Sequence, residues 1–364
     1  MARPNISNLL LMNSIFFHIL RHRFSVVTIF LVALLLALAI LNLMIGSVDI
    51  PASAIMNMLS GDTSENQIWH IIIFDSRIPM IVTAILAGAA LSVCGLLLQT
   101  IFNNPLADPS ILGISTGASL GVALVMLASS TIFGGVMATS VIGGYISTLI
   151  GALGGALIVL IILLIFSSFV KSAPMLLIIG IMISYLASSA ISLLNFFATQ
   201  EGVHSFVIWG LGNFSGVTSD RMPVFTTLII CSLALSLLMV KPLNALLLGV
   251  RYAENLGVNI RRTRNWLLFI TGVLTAIVTA FCGPISFLGL IVPHIARMLL
   301  NTSNHNTLLP TTILVGAVIA LLCTLVSVLP TSIGIIPINA ITPIIGVPII
   351  IYLIVNRRKL QYFN

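Results

Sequence analysis

The sequence contains very little charge. Only 6% of its 364 residues are Asp, Glu, Lys or Arg, whereas a soluble domain carries about 25%. Hydrophobic residues make up 59% of the chain, and the mean hydropathy is +1.21. So few charges could not cover a water-facing surface of this size, so most of the chain must contact lipid. We therefore attribute the net charge of +7 to membrane topology rather than to nucleic-acid binding.

The sequence also lacks the residue patterns of an enzyme. The dipeptide Gly-Lys does not occur, which excludes an ordinary phosphate-binding loop for ATP. No Ser/His/Asp set and no pair of carboxylates has a useful spacing, so we expect neither catalytic residues nor a bound cofactor. The four cysteines lie singly in apolar runs without metal-ligand spacing, which predicts buried thiols and no metal site: Cys94, Cys231, Cys282 and Cys323.

Long apolar runs predict an all-α, polytopic membrane protein that forms a single domain over residues 1–364. A membrane-spanning helix needs about 20 mostly apolar residues, and continuous runs exclude the alternating strands of a barrel. The first run lacks a clear cleavage site and is long enough to span, so we interpret it as a retained span. Ten spans are expected, at 24–45, 78–102, 111–128, 136–166, 174–199, 223–240, 267–282, 284–300, 308–329 and 335–355.

The basic residues predict the orientation of these spans. With the N-terminus in the cytoplasm, only Arg77 and Arg221 of the fifteen basic residues fall outside. An even number of spans then places both termini in the cytoplasm. The other thirteen basic residues are expected inside: Arg3, Arg21, Arg23, Lys171, Lys241, Arg251, Arg261, Arg262, Arg264, Arg297, Arg357, Arg358 and Lys359.

Two loops between the spans are long. The outer segment 46–76 is expected to form an exposed shelf. The inner segment 241–266 has helical patterning and predicts two short helices broken at Gly257. One interpretation of the inner segment is a basic amphipathic element that lies on anionic lipid.

A polar, proline-bounded turn separates two spans at 103–109, and small residues follow it at four-residue spacing. Gly113, Gly117 and Gly121 are expected to allow close helix packing. Asp108 is expected either to cap the next helix or to pair with an inner arginine. His294 could relay protons, although a structural role at a helix end is favoured. Acidic residues are almost absent from the spans, which argues against an ion-coupled secondary transporter.

Seven stretches of the sequence form a specific combination. They are Arg77-Ile-Pro, LAGAALSVCGLLLQTIFNNPLADPSILGISTGASLG (86–121), LLIIGIMISYLASSAISLL (176–194), Trp209-Gly-Leu-Gly, LNALLLGVRYAENLGVNIRRTR (243–264), GPISFLGLIVPHIAR (283–297) and Gly346-Val-Pro. Taken together, they resemble the FecCD-type iron-chelate and cobalamin permeases of binding-protein-dependent ABC importers. They occur in the order of the family from about residue 70 to 355, which is nearly the whole chain.

The resemblance implies a ten-span subunit that pairs with a second permease subunit, as a homodimer or heterodimer. It implies ABC ATPase subunits as partners at the inner face, so ATP would be bound by the partner and not by this chain. The segment 241–266 would then be the coupling loop. The implied contact residues are Arg251, Tyr252, Ala253, Glu254, Leu256 and Gly257.

A periplasmic or lipid-anchored substrate-binding protein is implied at the outer face, where Arg77 would receive it. The implied family turn comprises Asn104, Pro105, Asp108 and Pro109. The sequence departs from the family at Met80, where a second arginine is usual, and at the uncharged segment 323–341. There, Asn339 stands where the family has glycine.

The resemblance therefore implies the permease of an importer in the inner (cytoplasmic) membrane, with an iron chelate (ferric siderophore or haem) as substrate. The alternative within the family is cobalamin. The alternatives from other classes are a secondary transporter without an ATPase, and a polytopic scaffold or receptor that transports nothing.

Overall fold

The computed structural model describes residues 6–60, 66–132, 141–170, 172–329 and 336–355. Helices dominate, and these described ranges contain no β-strand. The α-helices are α1 (Ile6–Met44), α2 (Ala52–Leu59), α3 (Gln67–Ile71), α4 (Ile78–Ile101), α5 (Ile114–Ile132), α6 (Val141–Phe169), α7 (Ala173–Phe197), α8 (Gln200–Gly210), α9 (Met222–Leu238), α10 (Val240–Leu246), α11 (Val250–Asn255), α12 (Ile260–Cys282), α13 (Leu288–Leu300), α14 (His305–Val328) and α15 (Ile338–Val355).

The predicted all-α membrane fold is confirmed. Within the described ranges, six helices are long and apolar enough to cross a membrane. Helix α9, with 17 residues, meets the same criterion only when it is counted together with α10, from which it is bent by 49°. With that pair the number of candidate spans is seven. Three shorter apolar helices, α5, α13 and α15, bring the set to the ten that the sequence predicts. Parts of two predicted spans, 136–140 and residue 335, lie outside the described ranges.

Helix α4 forms the centre of the bundle, because nearly every residue from Ala87 to Thr100 is buried. Two of its glycines allow neighbouring helices to approach backbone to backbone. A methyl group on Gly88 would lie 2.4 Å from the carbonyl oxygen of Gly316 in α14. A methyl group on Gly95 would lie 1.8 Å from the carbonyl oxygen of Gly289 in α13. Helices α13 and α14 therefore pack directly on α4.

Helices α5 and α6 meet through two facing pairs of glycines. A methyl group on Gly121 would lie 1.9 Å from the Gly151 carbonyl oxygen, and one on Gly155 would lie 2.1 Å from that of Gly117. The predicted packing role is thus found for Gly117 and Gly121. Gly113 also lies close to a neighbouring helix, because a methyl group there would be 3.0 Å from the Gly180 carbonyl oxygen in α7. It has a second role as well, since it ends a short 3-10 helix with φ of +81°. The described part of the predicted span 136–166 lies in a single helix, α6.

We call the end of the bundle that contains Thr100, Asn244 and His305 the inner end, following the predicted orientation. Arg23 lies there as well, and its Nε donates to the carbonyl of Leu299 at 2.8 Å. Five of the basic residues expected inside lie outside the described ranges: Arg3, Lys171, Arg357, Arg358 and Lys359. The orientation relative to the cell stays a prediction.

The expected outer shelf contains helices of its own. Helix α2 and the π-helix Ile72–Arg77 enclose a small separate core. Its buried members are Ile50, Ala54, Ile55, Met58 and Ile73. The shelf is therefore a packed element, although residues 61–65 within it lie outside the described ranges.

Three of the four cysteines are buried as predicted, but Cys231 on α9 is exposed. An apolar run does not reveal which face of its helix points outward, and Cys231 lies on the outward face of α9. All four thiols are free.

Candidate functional site

The inner segment contains two short helices, as predicted, but the break between them lies elsewhere. Helix α10 ends at Leu246 and α11 begins at Val250, so Gly249, with φ of +97°, separates them. Gly257, with φ of +84°, follows α11 and separates it from α12. Both glycines adopt the left-handed region, which disfavours side chains. A helix break is thus present at Gly257, as predicted, but it separates α11 from α12. The two short helices are separated from each other by Gly249, where no break was predicted.

Helix α11 and its flanks present an exposed apolar surface at the inner end of the bundle. Leu248, Tyr252 and Leu256 are each more than half exposed. Arg251 and Glu254 are exposed beside them, as is Gly257. Ala253 is fully buried and anchors the helix. We call the exposed residues 247–257 the inner patch. Large apolar side chains exposed together at a polar loop are typical of a protein-binding surface.

Hydrogen bonds connect the helix pair that carries the inner patch to the centre of the bundle. The Oδ1 atom of Asn244 in α10 accepts from the backbone N–H of His305 at 2.8 Å and from its Nδ1 at 3.0 Å. The Nε2 atom of His305 lies 2.9 Å from the Thr100 hydroxyl on α4. The Thr100 hydroxyl also donates to the carbonyl of Leu96 in the same helix at 2.9 Å. Asn244, His305 and Thr100 thus join α10, α14 and α4.

Sequence reasoning did not find Asn244, His305 or Thr100 as a group. Two of them lie beside loops and one lies in an apolar run, and they are separated by up to 205 residues. Asn304 is the sequence feature that could have pointed to His305. Its side chain accepts from the N–H of Asn306, so it caps α14 and places His305 at the start of that helix.

The polar turn at 103–109 is held by its own side chains. Asn104 Oδ1 accepts from the N–H of Leu106 at 3.0 Å. Asp108 Oδ1 accepts from the N–H of Ser110 at 2.9 Å and from its hydroxyl at 2.6 Å. Asp108 thus caps the 3-10 helix Pro109–Leu112, which was one of its two predicted roles. Burial raises the pKa of the Asp108 carboxyl, and the bonds from Ser110 oppose this.

This turn packs directly on α13, so two of the stretches that carry the family resemblance form one junction. The carbonyl of Pro105 accepts from His294 Nε2 at 2.8 Å. Pro109 and Asp108 lie against Gly289, where an added methyl group would be 2.7 Å from Pro109 Cδ. His294 is 5% exposed. This geometry gives His294 the structural role that was favoured over a proton relay.

Gln99 and Arg297 extend the same junction towards α4. Gln99 Nε2 donates to the carbonyl of Leu290 at 3.1 Å, and Arg297 Nη1 donates to Gln99 Oε1 at 2.7 Å. Both residues are buried. Burying an arginine costs free energy unless hydrogen bonds satisfy its guanidinium group. Because the Gln99 side chain accepts such a bond, Arg297 holds α13 at a fixed distance from α4.

Arg77 lies at the opposite, outer end and is only 4% exposed. Its guanidinium donates to the carbonyls of Leu43 at 2.6 Å, Met44 at 3.1 Å and Val48. It therefore binds the last carbonyls of α1. In this conformation the side chain does not face the outer surface, so the geometry argues against the predicted direct contact with a binding protein.

The sequence profile of the FecCD transport family matches residues 34–356. The chain belongs to the FecCD transport family.

Curated FecCD-family relatives cover almost the same length. The haemin transport system permease protein HmuU of Yersinia pestis is 31% identical and aligns over 91% of this chain and 95% of its own. The vitamin B12 import system permease protein BtuC of Citrobacter koseri is 32% identical over 80% and 84%. The molybdate import system permease protein MolB of Haemophilus influenzae is 34% identical over 90% and 95%.

A solved structure also matches the fold of this FecCD-family chain. It is described as an inward-facing conformation of a metal-chelate type ABC transporter. The TM-score is 0.76 at 33% identity, and the match covers 91% of this chain and 98% of that one. The chain is therefore a multi-pass membrane permease of the ABC importer class.

One departure from the FecCD pattern has a structural role. Asn339 Nδ2 donates to the carbonyls of Gly210 at 3.2 Å and Pro284 at 2.5 Å, and its Oδ1 accepts from the N–H of Ser286 at 3.2 Å. The amide thus joins the start of α15 to the end of α8 and to the loop before α13. A glycine at this position could make none of these side-chain bonds.

Among the described ranges, no three His, Cys, Asp or Glu side chains are grouped so that they could hold a metal ion.

Proposed function

We propose that this permease imports an iron chelate, either a ferric siderophore or haem, across the inner (cytoplasmic) membrane. The family supports transport, and the haemin permease of Yersinia pestis supports an iron chelate as the substrate. Cobalamin is the second candidate, since BtuC permeases are equally similar. Molybdate enters as a third candidate through the MolB relative.

The inner patch is the observation that carries the mechanism. Two ATPase subunits dock on the inner patches of the two permease subunits and bind ATP, which this chain does not bind. Arg251, Tyr252, Glu254 and Leu256 make the contact, and Gly257 allows α11 to project from α12. Ala253 is buried and supports the contact from beneath. Exposed tyrosine and leucine side chains flanked by charges are well suited to a specific protein interface.

Movement of the ATPase subunits reaches the bundle through Asn244 and His305. Because α10 is hydrogen-bonded to α14 and, through His305, to Thr100 of α4, a displacement of the patch acts on the central helix. ATP binding then shifts the population between outward-open and inward-open states, since the ATPases bind the two states with different affinities.

The substrate-binding protein, periplasmic or lipid-anchored, docks on the outer end. Arg77 contributes by holding the end of α1 against the shelf rather than by a direct contact. A second permease subunit, most simply an identical copy, completes the path for the substrate. Membrane lipid surrounds the assembly, and nucleic acid is not a partner.

Reconstitution tests this function. The permease, its ATPase and its binding protein are placed in liposomes, and uptake of ferric siderophore, haem, cobalamin and molybdate is measured with and without ATP. The proposal expects ATP-dependent uptake of an iron chelate. Uptake of cobalamin or molybdate alone would select another substrate within the family.

Two outcomes distinguish the classes of protein. Uptake that ignores ATP depletion but stops when an ion gradient is collapsed would identify a secondary transporter. Absence of both uptake and stimulated ATP hydrolysis would favour a receptor or scaffold. Measuring which ligand the cognate binding protein retains is the most direct test of the substrate.

A further inference from the structure

A groove lies at the inner end between the last turns of α6 and the first turns of α12. Its volume is about 720 Å³. It is separate from the inner patch, which ends at Gly257, and from the junction of α4 with α13. The lining residues are Ile161, Leu164, Ile165, Ser168, Asn259, Arg261, Arg262, Asn265, Trp266 and Phe269.

The lining divides into two zones along the membrane normal. Polar and basic side chains lie towards the loop, at Ser168, Asn259, Arg261 and Arg262. The apolar wall lies deeper in the bundle and ends at Phe269. At a rise of about 1.5 Å per residue, Asn259 and Phe269 are roughly 15 Å apart along α12. A phospholipid extends over a comparable distance from its phosphate group into its acyl chains.

The groove carries positive charge without an acidic partner in its lining. Arg261 and Arg262 are both exposed, and none of the ten lining residues is Asp or Glu. The predicted orientation places these arginines on the cytoplasmic side, where anionic lipids concentrate. Trp266 and Phe269 pack edge to face with ring centroids 5.9 Å apart. Tryptophan beside arginine is typical of the headgroup boundary of a membrane.

The walls of the groove are fixed by hydrogen bonds on the buried side. Arg264 donates from Nε to the Ser167 hydroxyl at 3.0 Å and from Nη2 to the carbonyl of Val170 at 2.8 Å. The Ser167 hydroxyl donates to Asn265 Oδ1 at 2.6 Å. These bonds tie the end of α6 to the start of α12, so the groove is a built feature of the fold.

We propose that this groove binds an anionic phospholipid, with its phosphate between Arg261 and Arg262 and one acyl chain along the apolar wall. The phosphate meets the two positive charges of Arg261 and Arg262, and within the described ranges no Asp or Glu lines the groove. The acyl chain covers Ile161, Ile165 and Phe269, which are exposed in the isolated chain. The site goes beyond transport and would exist whatever the substrate.

Lipid co-purification tests the site. The permease is equilibrated with equimolar phosphatidylglycerol and phosphatidylcholine, repurified in mild detergent, and its bound lipids are quantified by mass spectrometry. The wild type is expected to enrich phosphatidylglycerol. In the R261Q/R262Q variant the enrichment is expected to fall by roughly tenfold or more, since two basic contacts are lost.

Three further variants make the test specific. K241Q/R251Q removes two exposed basic residues from the same end, outside the groove, and is expected to keep the enrichment. R261K/R262K keeps both positive charges and is expected to keep most of the phosphatidylglycerol enrichment. Ile165→Trp fills the apolar wall and is expected to lower the bound phosphatidylglycerol while both arginines remain.

Equal loss in K241Q/R251Q, or no effect of Ile165→Trp, would mean general electrostatic attraction and would overturn the proposal. So would loss in R261K/R262K. If R261Q/R262Q kept its lipid but no longer retained the ATPase subunits or a second permease, the groove would be a protein interface instead. All readouts concern binding, so they remain valid if the proposed substrate is wrong.

Discussion

The neighbouring glycines 154 and 155 of α6 have opposite environments. Gly155 faces the Gly117 carbonyl, where a methyl group would lie 2.1 Å away, whereas nothing lies within 4 Å of a methyl group on Gly154. The sequence predicted close packing from the four-residue spacing of small residues in α5. It could not say which glycines of α6 face α5, because that depends on the rotation of both helices.

This contrast gives a matched pair of variants. Gly155→Ala is expected to destabilise the protein by about 1–3 kcal/mol, because α5 and α6 must separate to admit the methyl group. Gly154→Ala is expected to be neutral or to stabilise by up to about 1 kcal/mol through helix propensity. Apparent melting temperatures in detergent provide the measurement. Equal melting temperatures for the two variants would contradict the packing described above.

The sequence singled out Arg77 as a functional residue but did not reveal what its side chain does. Its three acceptors are backbone carbonyls 29 to 34 residues earlier in the chain. Backbone acceptors leave no pattern in side-chain identity, so the sequence offered only the docking role that the family resemblance implies for Arg77. Burial and hydrogen bonding show a residue that holds α1.

Two substitutions at Arg77 distinguish the roles. Arg77→Lys keeps the charge but not the fork of donors, and is expected to cost roughly 2 kcal/mol of stability. Arg77→Met is expected to cost at least as much. Thermal unfolding and binding-protein affinity are measured together. If Arg77→Lys kept full stability while Arg77→Met lost only binding-protein affinity, direct docking would be the better account.

At the scale of elements, the inner segment was predicted to be a pair of short helices, and a pair is present. The helical patterning within 241–266 was sufficient to predict this pair of helices. The extent of α12 was not predicted, since the helix continues out of the apolar run to Ile260. Asn259 caps it by accepting from the N–H of Arg262 at 2.9 Å. Asn259 lies eight positions before the predicted span 267–282, so within a polar stretch it was a weak signal for the start of the helix.

The inner patch predicts a specific loss of partner binding. Leu256 is 58% exposed, so Leu256→Asp is expected to leave the permease folded. Placing an unpaired charge in the interface is expected to lower retention of the ATPase subunits by roughly tenfold or more. Co-purification with the ATPase measures this.

Met56→Asp serves as the control, because Met56 is a similarly exposed apolar residue on the outer helix α2. Its retention of ATPase should equal that of the wild type. If both variants lost the ATPase equally, or neither did, the inner patch would not be the docking surface.

At the scale of the whole molecule, composition and span length were enough to predict an all-helical bundle with ten spans. The contact between the 103–109 turn and α13 was not predictable, because Pro105 and His294 are 189 residues apart. A single sequence carries the identities of both partners but no sign that they meet. The same holds for Asn244, His305 and Thr100.

Asn244 predicts how motion is transmitted across the molecule. Asn244→Ala removes the acceptor of two His305 donors, so ATPase subunits should still dock while substrate transported per ATP hydrolysed falls severalfold. Asn244→Asp keeps an acceptor at Oδ1 and should recover most of the coupling. Reconstituted vesicles allow uptake and hydrolysis to be measured together. A fall in uptake and hydrolysis by the same factor, in both variants, would indicate a merely structural role.

The glycine contact between α5 and α6 has a mechanical consequence. Two helices that touch backbone to backbone have no compressible side chains between them, so they are stiff against relative sliding and tilt together. Arg264 fastens the inner end of α6 to α12, and α12 follows α11 after one short turn. A displacement of α11 would therefore tilt α12, α6 and α5 together. Because α5 and α6 are long, a small movement at the inner end would become a larger one at the opposite end of the bundle, which is the outer end in the predicted orientation.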